Sequence, residues 1–150
     1  MARKRIIDPS FWIDEEIGKI SPEARLLYIG LWGICDDNYA TFPNKLGELK
    51  IQIFPYDNVK VDKLLKELAD IGKILPFKDR DGQDYWYLKN LLKWQKIDRP
   101  SSPKYPKYRS LDDGSTSTRP ELKKELINKS EKFIKNSRDE LTKKWGKHRI

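Results

Sequence analysis

The stretch "NVKVDKLLKELADIGKILPFKDRDGQDYWYL", residues 58–88, joins an amphipathic helix to a β-hairpin with almost no chain between them. Val61, Leu64, Leu65, Leu68 and Ile71 follow the i, i+3, i+4, i+7 spacing of a helix with one buried face. Asn58 is the expected N-cap and Gly72 the expected left-handed stop. Lys60, Lys63, Lys66 and Glu67 fall on the opposite side. Asp81-Gly82 favours a two-residue type I′ turn, because both central positions need positive φ. That turn sets Phe77 against Trp86 and Leu75 against Leu88 on one side. Pro76, Lys78, Arg80, Tyr85 and Tyr87 then share the other. It also makes neighbours of Asp79 and Asp84, a repulsion that a one-residue bulge would relieve.

Upstream, Ser21-Pro22-Glu23 opens a helix: Ser21 caps, Pro22 suits the first position, and Glu23 meets the positive end of the dipole. Ala24, Leu27, Tyr28, Leu31, Ile34 and Cys35 form its inner stripe, and Gly30 and Gly33 leave room for another element to approach. Before it, Phe11, Trp12 and Ile17 are expected to pack back from a short turn. After it, residues 40–42 read as a brief strand. Asn44 to Ile53 reads as a helix with Leu46, Leu49 and Ile53 inward, stopped by Pro55.

Helix, short strand, helix, tight turn, helix, hairpin is the order of a winged helix-turn-helix. The expected fold class is therefore α+β, mostly helical, with a C-terminal helical extension. Residues 1–104 form the domain, 105–118 a flexible linker of Pro, Ser, Thr and Gly composition, and 119–150 a basic helix. Leu122, Leu126, Phe133, Leu141 and Trp145 lie along one broad side of that helix, so docking or homo-oligomerisation through it is expected.

The formal charge of +8 is uneven. Residues 1–105 carry 18 Lys/Arg against 16 Asp/Glu, whereas residues 106–150 carry 13 against 7. An excess of this kind favours polyanions, nucleic acid before anionic membrane. The longest nearly apolar stretch, "LLYIGLWGIC", is half the length of roughly 20 residues that a membrane helix needs. With no signal peptide legible, the expected location is the cytoplasm.

Catalysis finds little footing. Cys35 is the only cysteine and His148 the only histidine, so neither a Cys/His zinc site nor a nucleophile with a histidine base can be assembled. "DRDGQD" departs from a calcium loop: its glycine comes two residues early and Asn90 stands where the closing glutamate belongs. No enzyme and no cofactor is expected.

In a winged helix the third helix enters the major groove and the hairpin lies along the adjacent backbone. The expected DNA-binding residues are Asn58, Lys60, Lys63 and Lys66 on the helix, and Lys78, Arg80, Tyr85 and Tyr87 on the wing. Lys93, Lys96 and Arg99, just after the wing, and the tail lysines would add backbone contacts. Tyr85 and Tyr87 suit packing within the hairpin as well as contact with a base or phosphate.

Four segments, "RIIDPSFWIDEEIGKISPEARLLYIGLWGICDD", "IQIFPYDN", "VDKLLKELADIGKI" and "NLLKWQKIDRP", carry a resemblance. Over roughly residues 3 to 104 the chain resembles the N-terminal winged-helix module of phage and prophage replication initiators, the replisome-organiser or DnaD-like proteins of Gram-positive bacteria and their phages. The resemblance implies a module that binds DNA at a replication origin in a bacterial host cell or contacts replisome proteins; the expected partner is double-stranded DNA, with single-stranded DNA, which the family's second domain engages, as the alternative. Such initiators continue into a second helical domain that helps recruit the helicase or its loader, and residues 119–150 are too short for it. Two other functions share these features: an interaction adaptor using the winged helix and C-terminal helix, and a transcriptional repressor.

Overall fold

A computed structural model of the chain describes residues 3–109 and 128–138. The expected helical segments at 119–127 and 139–150, with Leu122, Leu126, Leu141 and Trp145, and the linker beyond residue 109 lie outside the described residues.

The fold is α+β, with helices around a small antiparallel sheet. A 3-10 turn at Pro9–Ile13 leads into α1 (Glu15–Gly18) and α2 (Pro22–Ile34). Then come β1 (Thr41–Pro43), α3 (Leu46–Ile53), α4 (Val61–Asp70), β2 (Ile74–Lys78), β3 (Asp84–Leu88) and α5 (Leu91–Trp94). Residues 128–138 form a further helix, α6.

Helix α2 begins as its sequence dictates: Ser21 Oγ accepts from Ala24 N at 3.2 Å and Pro22 occupies the first turn. Ala24, Leu27, Tyr28 and Leu31 are buried. Gly30 provides the expected close approach, since a Cβ there would lie 2.8 Å from the Ile53 side chain of α3. Trp12 departs from expectation: it is 63% exposed, touching Phe11 edge-on. Phe11 already fills the space against Tyr28 and Trp32.

Helix α4 buries Val61, Leu64, Leu65 and Leu68. Its C-terminus is a Schellman turn, in which Gly72 N donates to Ala69 O and Lys73 N to Leu68 O, with Gly72 at φ +74°. The N-terminus differs from the expected Asn58 cap. Val59 packs against the core, which keeps the chain extended through Lys60, and Lys60 O accepts the first helical N–H groups from Lys63 and Leu64. Glu67 is likewise not on the solvent face; its carboxylate accepts from Ser21 N at 2.9 Å and Ser21 Oγ at 2.8 Å.

The sheet runs β1-β3-β2. The hairpin register is one residue away from the expected one: Phe77 pairs with Tyr85, Pro76 with Trp86, Leu75 with Tyr87 and Lys78 with Asp84. The turn explains the shift. Gly82 N donates to Asp79 O, Asp79 N donates to Gln83 O, and Gly82 sits at φ +80°. This is a three-residue loop with a glycine bulge, not the two-residue type I′ turn. The Asp79 carboxylate locks it by accepting from Asp81 N and Gln83 N. The slip also removes the Asp79–Asp84 opposition and brings Lys78 Nζ to 2.9 Å from Asp84.

Because side chains alternate across a strand, a slip of one exchanges the partners on every face. Ile74, Pro76, Trp86 and Leu88 now line the inner face with Phe42, and Lys78 belongs to that side. Trp86 is fully buried and donates through Nε1 to Asn44 Oδ1 at 3.0 Å. The outer face carries Leu75, Phe77, Tyr85 and Tyr87.

Residues 99–109 hold no helix or strand, yet they strap that outer face. Tyr108 stacks on Tyr87 at 4.6 Å between centroids and meets Phe77 edge-on, while Tyr105 leans on Tyr85. Backbone bonds fasten the strap: Ser101 N donates to Asp37, Tyr105 N donates to Asp36, and Thr41 Oγ1 donates to Pro106 O.

Candidate nucleic-acid interface

The candidate surface starts from the buried stripe of α4. Once Val61, Leu64, Leu65 and Leu68 face the core, helical periodicity turns Lys63 directly outward. Lys60 stands at the helix entry and Asn58 two residues earlier, both exposed. Tyr56, in the same turn, is 97% exposed. Lys60 and Lys63 have no ion-pair partner among the described residues. The N-terminal end of α4 and the turn before it therefore expose two cations without an ion-pair partner among the described residues, an amide and an aromatic ring.

Tyr56 was not among the expected site residues. The available signal was its setting between Pro55 and Asp57 in a helix–helix turn, where a tyrosine has no core to enter.

Lys66 is differently placed. Its ammonium lies 2.9 Å from Asp70 and 3.3 Å from Glu131 of α6. Hydrogen bonding to Asp70, and then to Glu131, holds its pKa above the ordinary lysine value. Lys66 stays charged at neutral pH, but that charge is already answered.

The wing residues do not form the basic, aromatic face expected of them. Lys78 is paired with Asp84 and lies 6.0 Å from the centre of the Phe133 ring. Arg80 is exposed on the loop between Asp79 and Asp81. Tyr85 and Tyr87 face the strap, on the side of the hairpin opposite Lys78. Burial raises the pKa of Tyr85, with Asp79 and neighbouring groups adding to the effect.

Lys93, Lys96 and Arg99 are exposed but belong to a separate region. Gln95, between the two lysines, exchanges hydrogen bonds with the Ile6 backbone, and Arg3 donates to Arg99 O. Lys89 N donates to Lys73 O, so α5 begins beside the C-terminal end of α4. Asn58 and Lys60 mark the other end, about 15 Å away along a ten-residue helix. The expected site is thus two cationic groups at opposite ends of α4, with Lys66, Lys78 and the tyrosines engaged internally.

A cleft of about 460 Å³ opens between the N-terminal turn, α2 and α5. Phe11, Tyr28, Trp32 and Trp94 line it with Asp14 and Lys73. Burial pushes the Tyr28 hydroxyl up to about 12 and the Cys35 thiol up to about 12, so neither ionises near neutral pH. No group of three His, Cys, Asp or Glu side chains able to hold a metal ion occurs among the described residues. No helix among them is long and apolar enough to cross a membrane.

Compared with protein-family models, with curated proteins and with solved structures, the chain finds no match in any of the three.

Proposed function

We propose that the chain is a non-enzymatic DNA-binding protein of winged helix-turn-helix type, with α4 as the helix that enters the major groove. The order of elements and the sheet order β1-β3-β2 support that fold. The observation that carries the reading is the open N-terminal end of α4, where Lys60 and Lys63 project with Asn58 and Tyr56 while the apolar stripe behind them is fully used by the core. Lys60 and Lys63 displace condensed counterions at phosphates, and Asn58 is a donor and acceptor within reach of a base edge. In this reading the DNA is a replication origin in a bacterial cytoplasm, and the support for that is the resemblance to phage and prophage replication initiators. Changing Lys60 and Lys63 together to Gln is expected to weaken binding to mixed-sequence duplex by about tenfold at moderate salt. Unchanged affinity would remove the reading.

A second function, a protein-docking adaptor, is favoured by one observation. Ile6, Ile13 and Trp94 stand exposed around the 460 Å³ cleft, and apolar side chains clustered at a concave surface suit a protein partner. Trp94→Ala would then abolish partner binding and leave DNA affinity intact.

A further inference from the structure

The face of α6 that looks away from the core is exposed among the described residues. Ser130, Phe133, Ile134 and Ser137 of α6 are buried. Phe133 meets Trp86 edge-on at 5.3 Å, and Ser137 Oγ donates to Asn44 O at 3.4 Å. Two ion pairs tie one flank of α6 to one flank of α4: Glu131 with Lys66, and Arg138 with Asp62. The helices thus lie side by side in opposite senses, with their outward faces adjoining. Helical spacing puts Lys132 and Lys135 on the outward face of α6, with Asn128 and Asn136. All four are exposed, and neither lysine has an ion-pair partner among the described residues.

The hairpin compares poorly as a phosphate contact. Residues 74–88 hold Lys78 and Arg80 against Asp79, Asp81 and Asp84, a net of −1. Residues 128–138 hold Lys129, Lys132, Lys135 and Arg138 against Glu131 alone, a net of +3. A phosphate approaching the hairpin tip would meet carboxylates on both sides of Arg80. One approaching α6 would meet Lys132 and Lys135, neither ion-paired among the described residues, on a helix that two ion pairs hold against α4.

We infer that the second element gripping the DNA backbone is α6 and not the hairpin, so that the footprint on duplex is a two-helix surface: α4 through Lys60 and Lys63, and α6 through Lys132 and Lys135. This inference rests on the DNA-binding reading of α4. Phe133 and the two ion pairs are positioning groups that fix the distance between the helices.

The test is equilibrium binding of the full chain to mixed-sequence duplex across a salt series. Four proteins are compared: wild type, Lys60→Gln/Lys63→Gln, Lys132→Gln/Lys135→Gln, and Arg80→Gln. All the substituted side chains are exposed, so an unchanged thermal midpoint certifies the fold. Loss of the two α6 lysines is expected to weaken binding about tenfold and to lower the salt slope by about 2, with a smaller loss for Arg80→Gln. If the α6 variant binds like wild type while the α4 variant weakens, the inference fails and the DNA-binding reading stands. A larger loss for Arg80→Gln than for the α6 pair also overturns it, in favour of the hairpin. Wild-type affinity in both lysine pairs ends the inference and the DNA-binding reading together.

Discussion

Arg5 and Asp37 form a buried ion pair, with Nη2 2.8 Å from Oδ1 and side chains 8% and 1% exposed. Arg5 also donates to Trp32 O, and the other Asp37 oxygen accepts from Ser101 N at 2.9 Å. One carboxylate therefore joins the N-terminal arm, the end of α2 and the strap over the sheet. Burial alone would raise the Asp37 pKa, but the Ser101 N–H and the Arg5 guanidinium outweigh it and hold the carboxyl below the usual range. Asp37→Asn should cost about 3 kcal/mol, since it leaves a buried guanidinium unanswered. Denaturant titration measures this directly. A carboxyl with a depressed folded-state pKa stabilises above the unfolded value of about 3.9, and the effect fades as pH falls through the lower folded value. The gap between wild type and variant should therefore stay constant from pH 7 to pH 5 and close only below about pH 4.

Gly30 and Ile53 supply a second prediction. Alanine normally improves a helix interior over glycine by about 1 kcal/mol. Here its Cβ would press on a branched side chain at 2.8 Å. Overpacking of this kind costs about 1–3 kcal/mol, so Gly30→Ala should destabilise the wild type by about 1 kcal/mol net. In an Ile53→Ala background the same change should stabilise. A double-mutant cycle in thermal unfolding reads the reversal of sign.

The hairpin turn yields a third. Asp79→Ala removes the acceptor of two backbone N–H groups in the loop and should cost about 1–2 kcal/mol. Gly82→Ala should cost about 1 kcal/mol for a different reason, because φ is +80° and no atom lies within 4 Å of the added methyl. The loss there is backbone strain, without any clash. Hydrogen exchange at Asp79, whose N–H donates to Gln83 O, should accelerate in both variants while α2 remains protected.

The fold was legible where one local rule decided each step. Ser21-Pro22-Glu23 announced α2, and the Val61-to-Leu68 stripe announced α4 with its Gly72 stop. The hairpin was legible, but its register was not. Asp81-Gly82 fits two loop types, and the choice turns on whether Asp79 opposes Asp84 or bonds the turn. That one-residue ambiguity moved Lys78 to the inner side, and with it the expected basic wing. The strap was illegible because a Pro/Ser/Tyr segment reads as linker until Tyr85 and Tyr87 are known to share a face needing cover. Of the candidate site, Lys60 and Lys63 followed from periodicity alone. The engagement of Lys66 was half legible, since Asp70 stands four residues on along the same helix, whereas Glu131 is 65 positions away and meets it through the docking of α6.

The most direct test of the central claim is the salt dependence of wild-type binding to duplex DNA. A surface that neutralises about four phosphates through Lys60, Lys63, Lys132 and Lys135 should give log K falling against log salt with a slope of about −3 to −4. An isotherm that barely moves between low and moderate salt would contradict it.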